Sequence, residues 1–384
     1  MLSAARDTGI DLGGYLAECR ALAIAEIRRF VPFGDACGPI LYDLMLDYPL
    51  RDAKGLRPAL CIATCRALGG GLEAVLPSAA ILELYHNAFL SPDDVEDGSE
   101  QRRDRPTLHR EHGVPIAVNV GDGMLALALG PLLDNTRVVG LGRALRIMQT
   151  VARMARETAE GQAIELDWIR HARWDLSDDD YRRMVIKKTG WYSFIAPAVI
   201  GSIVAGTDAA QLDAMTAMAR ELAVAFQIRD DVLNLRTASS RYGKEANGDL
   251  WEGKRTLILL HTMRCLGASD RVEAEAILAR LRPTSHDVEL ATLLGELERA
   301  GELTSPGRAR VEALLHRAPR KSAADVDQLT AWIGQHGSID HANAICRDHA
   351  NRARTALDGV PELASSVHTD VLHSLIDFTI DREH

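Results

Sequence analysis

The chain has 384 residues, 47% of them hydrophobic and 26% charged, with a formal net charge of -10. That length and apolar fraction bury a large core and exclude a disordered chain. The acidic balance excludes a general nucleic-acid surface, because holding a phosphate backbone takes a concentrated positive stripe.

The N-terminus carries Arg6, Asp7 and Asp11 without a long apolar run, and no stretch is read as reaching the ~20 apolar residues that span a bilayer. No leader and no integral membrane segment are therefore expected. Along the chain, apolar residues recur at three and four rather than at two, as in Leu141, Leu145, Met148, Val151, Met154 and Ala155. This is helical periodicity. Gly69-Gly70-Gly71, Gly130-Pro131 and Gly206-Thr207 act as breakers between the helical stretches. The pattern predicts an all-α helical bundle around a central apolar cavity, from about residue 12 to about residue 265.

From Gly267 to Lys321 the chain is richer in charge and breakers, including Arg282-Pro283, Ser305-Pro306 and Pro319-Arg320-Lys321, and reads as peripheral. Helical periodicity resumes at Val326, Leu329 and Ile333 and again near Val371, Leu372 and Ile376. Residues 1–384 are thus expected to form a single domain, the bundle being followed by a helical C-terminal extension over about 266–384. The six cysteines, Cys19, Cys37, Cys61, Cys65, Cys265 and Cys346, have no paired framework. They read as free thiols of a cytoplasmic protein.

Chemistry concentrates in two acidic motifs, Asp93-Asp94-Val95-Glu96-Asp97 and Asp230-Asp231-Val232-Leu233-Asn234. On a helix, Asp93 and Asp97 share a face, as do Asp230 and Asn234. Either cluster alone reads equally well as a solvated acidic helix end. Both, however, follow apolar runs: Leu82, Leu84, Ala88, Phe89 and Leu90 before the first, Leu222, Val224, Phe226 and Ile228 before the second. Carboxylates gathered at the end of a buried helix repel one another, and a cation relieves this. A sparse carboxylate set suits magnesium, which keeps water and takes phosphate oxygens as further ligands.

Basic residues accompany the acids. Lys54-Gly55-Leu56-Arg57-Pro58 places two cations just before an apolar helix, where amide donors favour an anion. His86 lies two turns before Asp93, and Arg102-Arg103 follows the first motif. Lys187-Lys188-Thr189-Gly190, Gln227, Gly243-Lys244-Glu245 and the Gly248 to Thr256 segment complete the set. Taken singly, Lys-Thr-Gly or Gly-Lys-Glu is an ordinary helix end or turn. Gly253-Lys254-Arg255-Thr256 is not a P-loop, since the glycine spacing and the preceding strand are missing.

In this order the motifs resemble the trans-polyprenyl, or isoprenyl, diphosphate synthases. The likeness runs through Lys54 to Pro58, with Ala53 where the family has glycine, and through His86 to Asp97. It continues in Gly98 to Arg103, Pro106 to His109, Asn119 to Asp122, Gly161-Gln162, Lys188 to Gly190, Phe226 to Asp231 and Asp249 to Thr256. The resemblance implies condensation of isopentenyl diphosphate with an allylic diphosphate, releasing pyrophosphate, by a homodimer that uses Mg2+. It implies that Asp93, Asp94, Asp97, Asp230 and Asp231 hold the metal and that Arg102, Lys188, Lys244 and Lys254 neutralise the leaving group. Lys54, Arg57, His86 and Arg103 are implied to hold isopentenyl diphosphate, with Thr189 and Gln227 as dipoles beside the allylic cation.

Two departures stand near the metal: Pro92 where many relatives have histidine, and Asn234 where the second motif has its last acid. Ala88 and Phe89, five and four residues before Asp93, occupy positions where bulk acts in this family as a floor under the growing chain. That implies a short product, geranylgeranyl diphosphate first and farnesyl next, while Phe89 reads equally well as ordinary core. The alternatives are a class I terpene cyclase, an irregular prenyl coupling enzyme and a noncatalytic regulatory subunit. The intact first motif and the separate basic set of Lys54, Arg57, His86 and Arg103 argue against them.

Overall fold

The computed structural model describes residues 10–32, 37–236, 247–315 and 319–381. In chain order its helices are α1 (Leu12–Phe30), α2 (Asp43–Leu50), α3 (Leu56–Ala67), α4 (Leu72–Glu96), α5 (Leu108–His112), α6 (Val114–Leu127), α7 (Leu129–Val139), α8 (Leu141–Arg170), α9 (Asp178–Val185) and α10 (Ala196–Ala205). There follow α11 (Ala209–Arg236), α12 (Gly248–Glu252), α13 (Leu257–Cys265), α14 (Ala268–Leu278), α15 (Ser285–Arg299), α16 (Ser305–Leu315), α17 (Ala323–Gln335), α18 (Ser338–Asp358) and α19 (Val367–Asp381). A π-helical segment, Ile186–Ile195, joins α9 to α10 without a break.

The fold is all-α, as the periodicity predicts. Helix α8 buries Ala144, Ile147, Val151, Met154, Thr158, Gly161, Glu165 and Trp168, one stripe at three- and four-residue spacing. Helix starts are encoded locally: Ser177 with Asp180, Thr284 with Asp287, and Ser322 with Asp325 form capping boxes at α9, α15 and α17. Helices α3, α4 and α10 sit at the centre, and α11 runs against the π-helical segment on one side and α18 on another. The C-terminal helices close the bundle, α18 lying along α11 and α19 along α3.

Two details depart from the sequence expectations. A short antiparallel hairpin, β1 (Gln101–Arg102) with β2 (Arg105–Pro106), follows the first acidic motif. Its turn residues, Arg103 and Asp104, have φ of 53° and 60°, a pair of left-handed residues that matches the twist of a tight hairpin. Strands of two residues leave no alternation to read. The second departure is the stretch Val114–Val139, which is long and apolar enough to cross a membrane by length and composition, with 39% of its apolar window buried. Gly130-Pro131 reads as a breaker, yet Pro131 falls in the first turn of α7, where its missing N–H costs nothing. The apolar run therefore continues through it.

Candidate active site

One cavity of about 410 Å³ gathers residues from α3, α4, the hairpin, α8, α9, the π-helical segment, α11, α12 and α19. Helix α4 continues through Pro92 to Glu96, so the first acidic motif is helical. Asp93 borders the cavity with its side chain 26% exposed. Asp94, about 100° further round the helix, turns inward and is fully buried. Its Oδ1 accepts from Arg102 Nε at 3.0 Å, and its Oδ2 accepts from the Tyr48 hydroxyl at 2.6 Å. Asp97 accepts from Lys254 Nζ at 2.9 Å and borders a smaller adjoining cavity of about 40 Å³.

The second wall depends on a close approach of two helices. A Cβ at Gly161 would stand 2.1 Å from the backbone N of Lys188, so α8 and the π-helical segment touch there only because residue 161 is glycine. A π-helical turn shifts side chains out of α-helical register, and such turns recur at functional sites. Here it brings Lys188 Nζ to within 3.5 Å of Asp93 Oδ1 and into a short ion pair with the buried Glu165. Burial pulls the Lys188 ammonium down, but Glu165 and Asp93 outweigh it and hold the group above the ordinary lysine value. Lys254 is balanced likewise: burial is overcome by Asp97, Glu252 and Glu165, and it stays protonated.

Helix α11 supplies Asp230 and Asp231 to the same cavity. Asp230 is part-exposed, whereas Asp231 is buried and accepts from the Tyr181 hydroxyl at 2.7 Å and from Gln227 Nε2 at 2.9 Å. Burial and the charge of Asp249 push the Asp231 carboxyl well above the usual carboxylate range. Asn234 uses its side-chain oxygen to accept from the backbone N–H of Asp249 at 3.1 Å, and so holds that third carboxylate at the cavity edge.

Around the same cavity lies a second, cationic set. Arg57, at the start of α3, donates to Ser193 Oγ at 2.8 Å and lies 4.7 Å above the Tyr192 ring. His86 stacks on the same Tyr192 ring at 5.6 Å, with its Nδ1 buried and without a hydrogen-bond partner among the described residues. Burial, then the charges of Arg57, Arg103 and Arg102, keep His86 well below the ordinary histidine value, so it is neutral. Arg103 donates to the Tyr48 carbonyl at 2.8 Å, and burial lowers it to about 10 against the opposing charge of Glu83. Lys54 Nζ stands 5.2 Å from the Phe378 ring.

Among the described residues no three or more His, Cys, Asp or Glu side chains converge into a closed metal cage. What the cavity offers is carboxylate oxygen from α4 and from α11. An open, all-oxygen set of this kind fits a hard divalent cation whose remaining ligands are water and phosphate oxygens. It does not fit a structural zinc, which wants four nitrogen or sulfur donors.

The family model for polyprenyl synthetases matches residues 39–294. The chain belongs to that family. A short chain isoprenyl diphosphate synthase of Methanocaldococcus jannaschii is 29% identical over 267 residues, 69% of this chain and 78% of that protein. A geranylgeranyl pyrophosphate synthetase from Pyrococcus horikoshii matches with a TM-score of 0.78 at 26% identity, over 97% of this chain and 99% of that one. A polyprenyl synthase from Caulobacter crescentus, complexed with calcium and isoprenyl diphosphate, matches with a TM-score of 0.76 at 26% identity, over 97% of each chain.

As a polyprenyl synthetase the protein is a prenyltransferase, and its predicted site residues are placed as follows. Lys54, Arg57, His86, Asp93, Arg102, Arg103, Lys188, Thr189, Gln227, Asp230, Asp231 and Lys254 all border the large cavity. Asp94 borders neither cavity, and Lys244 lies outside the described residues. Ala88 is buried, and Phe89 packs on Tyr85 and Tyr192 at 5.9 and 5.8 Å without itself bordering the cavity. Glu83, Glu165, Tyr181, Tyr192 and Phe378 also border it, and sequence reasoning did not single them out. Glu83 and Glu165 had one usable sign, since Glu83 stands within the apolar run of α4 and Glu165 falls on the buried stripe of α8, where a carboxylate needs a cationic partner.

Proposed function

We propose that this enzyme condenses isopentenyl diphosphate head to tail with an allylic diphosphate, using Mg2+, and releases a short-chain trans-prenyl diphosphate and pyrophosphate. Geranylgeranyl diphosphate is the favoured product and farnesyl diphosphate the next. The observation that carries this reading is that one cavity is bordered both by the carboxylates of α4, α8, α11 and α12, with Lys188 of the π-helical segment and Lys254 just after α12, and by the separate set Lys54, Arg57, His86 and Arg103. Two diphosphates need two such sets. A cyclase that ionises one substrate has no use for the second.

In this reading Asp93, Asp97 and Asp230 hold the metal, with Asp231 and Asp249 beside them. Bound there, Mg2+ stabilises negative charge on the departing diphosphate as a Lewis acid. Arg102, Lys188 and Lys254 add donors that strengthen as the carbon–oxygen bond breaks. Thr189 and Gln227 face the allylic carbon, and Tyr192, Phe226 and Leu90 keep water from the cation. Arg57, Arg103 and Lys54 hold isopentenyl diphosphate so that its double bond meets that carbon, and neutral His86 donates one further hydrogen bond. The released pyrophosphate takes the final proton. Residues 1–384 act as one polyprenyl synthase domain, to which the extension beyond about 266 contributes Phe378.

The test is product analysis by mass spectrometry after incubation with Mg2+, isopentenyl diphosphate and, in turn, dimethylallyl, geranyl and farnesyl diphosphates. Elongated diphosphates are expected. A hydrocarbon or alcohol formed without isopentenyl diphosphate would overturn the reading in favour of a cyclase.

Phe89 shapes the cavity through Tyr192, so Phe89→Ala is expected to lengthen the main product by at least one five-carbon unit. An unchanged product ladder on reverse-phase chromatography removes Phe89 as the floor.

The active form is a cytoplasmic homodimer in this reading. Its support is the apolar surface of Val114, Ile116, Val118, Leu129, Leu133 and Leu141, each more than a third exposed, along α6, α7 and the start of α8. Leu129→Glu with Leu133→Glu should halve the mass seen in sedimentation equilibrium. A parent chain that sediments as a monomer would sink the dimer.

A further inference from the structure

The arm from α14 to Lys321 reaches the site at two points. Gly253, at φ +69°, lets the α12 turn lie against α14, since a Cβ there would stand 3.2 Å from the Leu278 carbonyl oxygen. The arm leaves and returns through one backbone bridge, with Leu281 N–H donating to Pro319 O at 2.9 Å and Lys321 N–H to Leu281 O at 2.8 Å. Lys321 Nζ then donates to the carbonyls of Trp251 and Arg280 at 2.9 and 2.8 Å. The base of the arm is thereby fixed to the Glu252-Gly253-Lys254 turn.

From that base Arg282 Nη1 donates to Glu252 Oε1 at 3.2 Å, while Glu252 Oε2 accepts from Lys254 Nζ at 2.8 Å. Lys254 in turn donates to Asp97. Three residues beyond Arg282, the first N–H of α15, from Ser285, donates to Glu100 Oε1 at 3.0 Å, just after the first acidic motif. Arg110 closes the contact with Ser285 Oγ at 2.7 Å. The arm thus ties the loop after Asp97 to the turn that carries Lys254.

We propose that Arg282 is a positioning residue for Lys254, acting through Glu252, and that this arm is part of the leaving-group machinery. The proposal rests on Lys254 as a leaving-group cation. Among the described residues Arg282 holds one Glu252 oxygen and Lys254 the other, which gives the carboxyl group one orientation and aims Lys254. Without Arg282 one oxygen is released, the carboxylate can rotate, and Lys254 loses a fixed partner. A displacement of about an ångström is enough to weaken an electrostatic donor substantially.

The experiment compares Arg282→Ala, Arg282→Gln, Arg282→Lys, Glu252→Gln, the double variant Arg282→Ala/Glu252→Gln, and Lys254→Ala, by steady-state kinetics and thermal melting. Expected are a fall in kcat of about tenfold or more for Arg282→Ala and Arg282→Gln, an unchanged KM for isopentenyl diphosphate, and recovery of most of the rate in Arg282→Lys. The double variant should be no slower than the slower single variant. Turnover within twofold of the parent in Arg282→Gln, or multiplicative losses in the double variant, overturns the proposal. So does a lower Tm with both KM values raised alike and no recovery by lysine. Parent-like turnover of Lys254→Ala overturns the assignment of Lys254 itself, whereas a slow Lys254→Ala beside a silent Arg282→Gln overturns the arm alone.

Discussion

Alanine at Asp93 or at Asp230 is expected to lower kcat by about a thousandfold and to leave the Tm close to that of the parent. Both side chains are part-exposed and border the cavity from opposite acidic motifs. On the proposed reading, removing either one breaks the shared hold on the metal, and removing Asp93 leaves no buried cation unpaired. Lys188 loses its 3.5 Å contact with Asp93 but keeps the closer pair with Glu165. The lost rate therefore reports the metal and not a displaced lysine. Steady-state turnover across a Mg2+ titration, with circular dichroism melts of the same samples, checks this. Parent-like turnover in either variant at limiting Mg2+ would remove that aspartate from the metal site.

What could be read in advance follows from how locally each feature is encoded. The helical character of α8 follows from spacing alone, but its buried stripe does not: of Leu141, Leu145, Met148, Val151, Met154 and Ala155 only Val151 and Met154 are buried, the stripe runs through Ala144 and Ile147, and Leu141 and Leu145 are exposed. Both acidic motifs are visible because acids four residues apart share a helix face. Distinguishing Asp93 from Asp94 is another matter. One step of helix rotation separates them, and which one faces the cavity depends on Tyr48 and Arg102, 46 residues before and 8 residues after Asp94. Phe378 could not be foreseen either, because its place at the cavity depends on how α19 docks on α3. Gly161 stands in a recognisable motif, yet its purpose is steric and shows only once Lys188 is seen against it. The arm around Arg282 reads as peripheral because charge and breakers signal surface. They say nothing about which surface residues turn back toward a site.

Asp94→Asn is expected to cost about 3 kcal/mol or more of stability, with a Tm lower by several degrees. The asparagine keeps the size of the side chain and one oxygen, but Arg102, with its side chain only 12% exposed, loses the carboxylate that neutralises it. Burial pulls the Arg102 guanidinium down and Asp94 more than restores it; a guanidinium does not give up its proton inside a protein, so without Asp94 the charge stays and keeps only a looser contact with Asp93 at 3.8 Å. A buried charge stripped of its close partner costs far more than a buried pair gains. The loss also spreads: the Tyr48 hydroxyl that donates to Asp94 accepts the Leu108 N–H at 3.0 Å, and Arg51 holds the hairpin through the carbonyls of Arg102 and Pro106 at 2.8 Å each. Asp94 on this view supports the hairpin that carries Arg103, and ligates nothing. Asp93→Asn and Asp94→Asn should separate cleanly, the first losing turnover with its Tm intact and the second losing Tm. An Asp94→Asn enzyme with parent Tm and a weakened response to Mg2+ would make Asp94 a metal ligand after all.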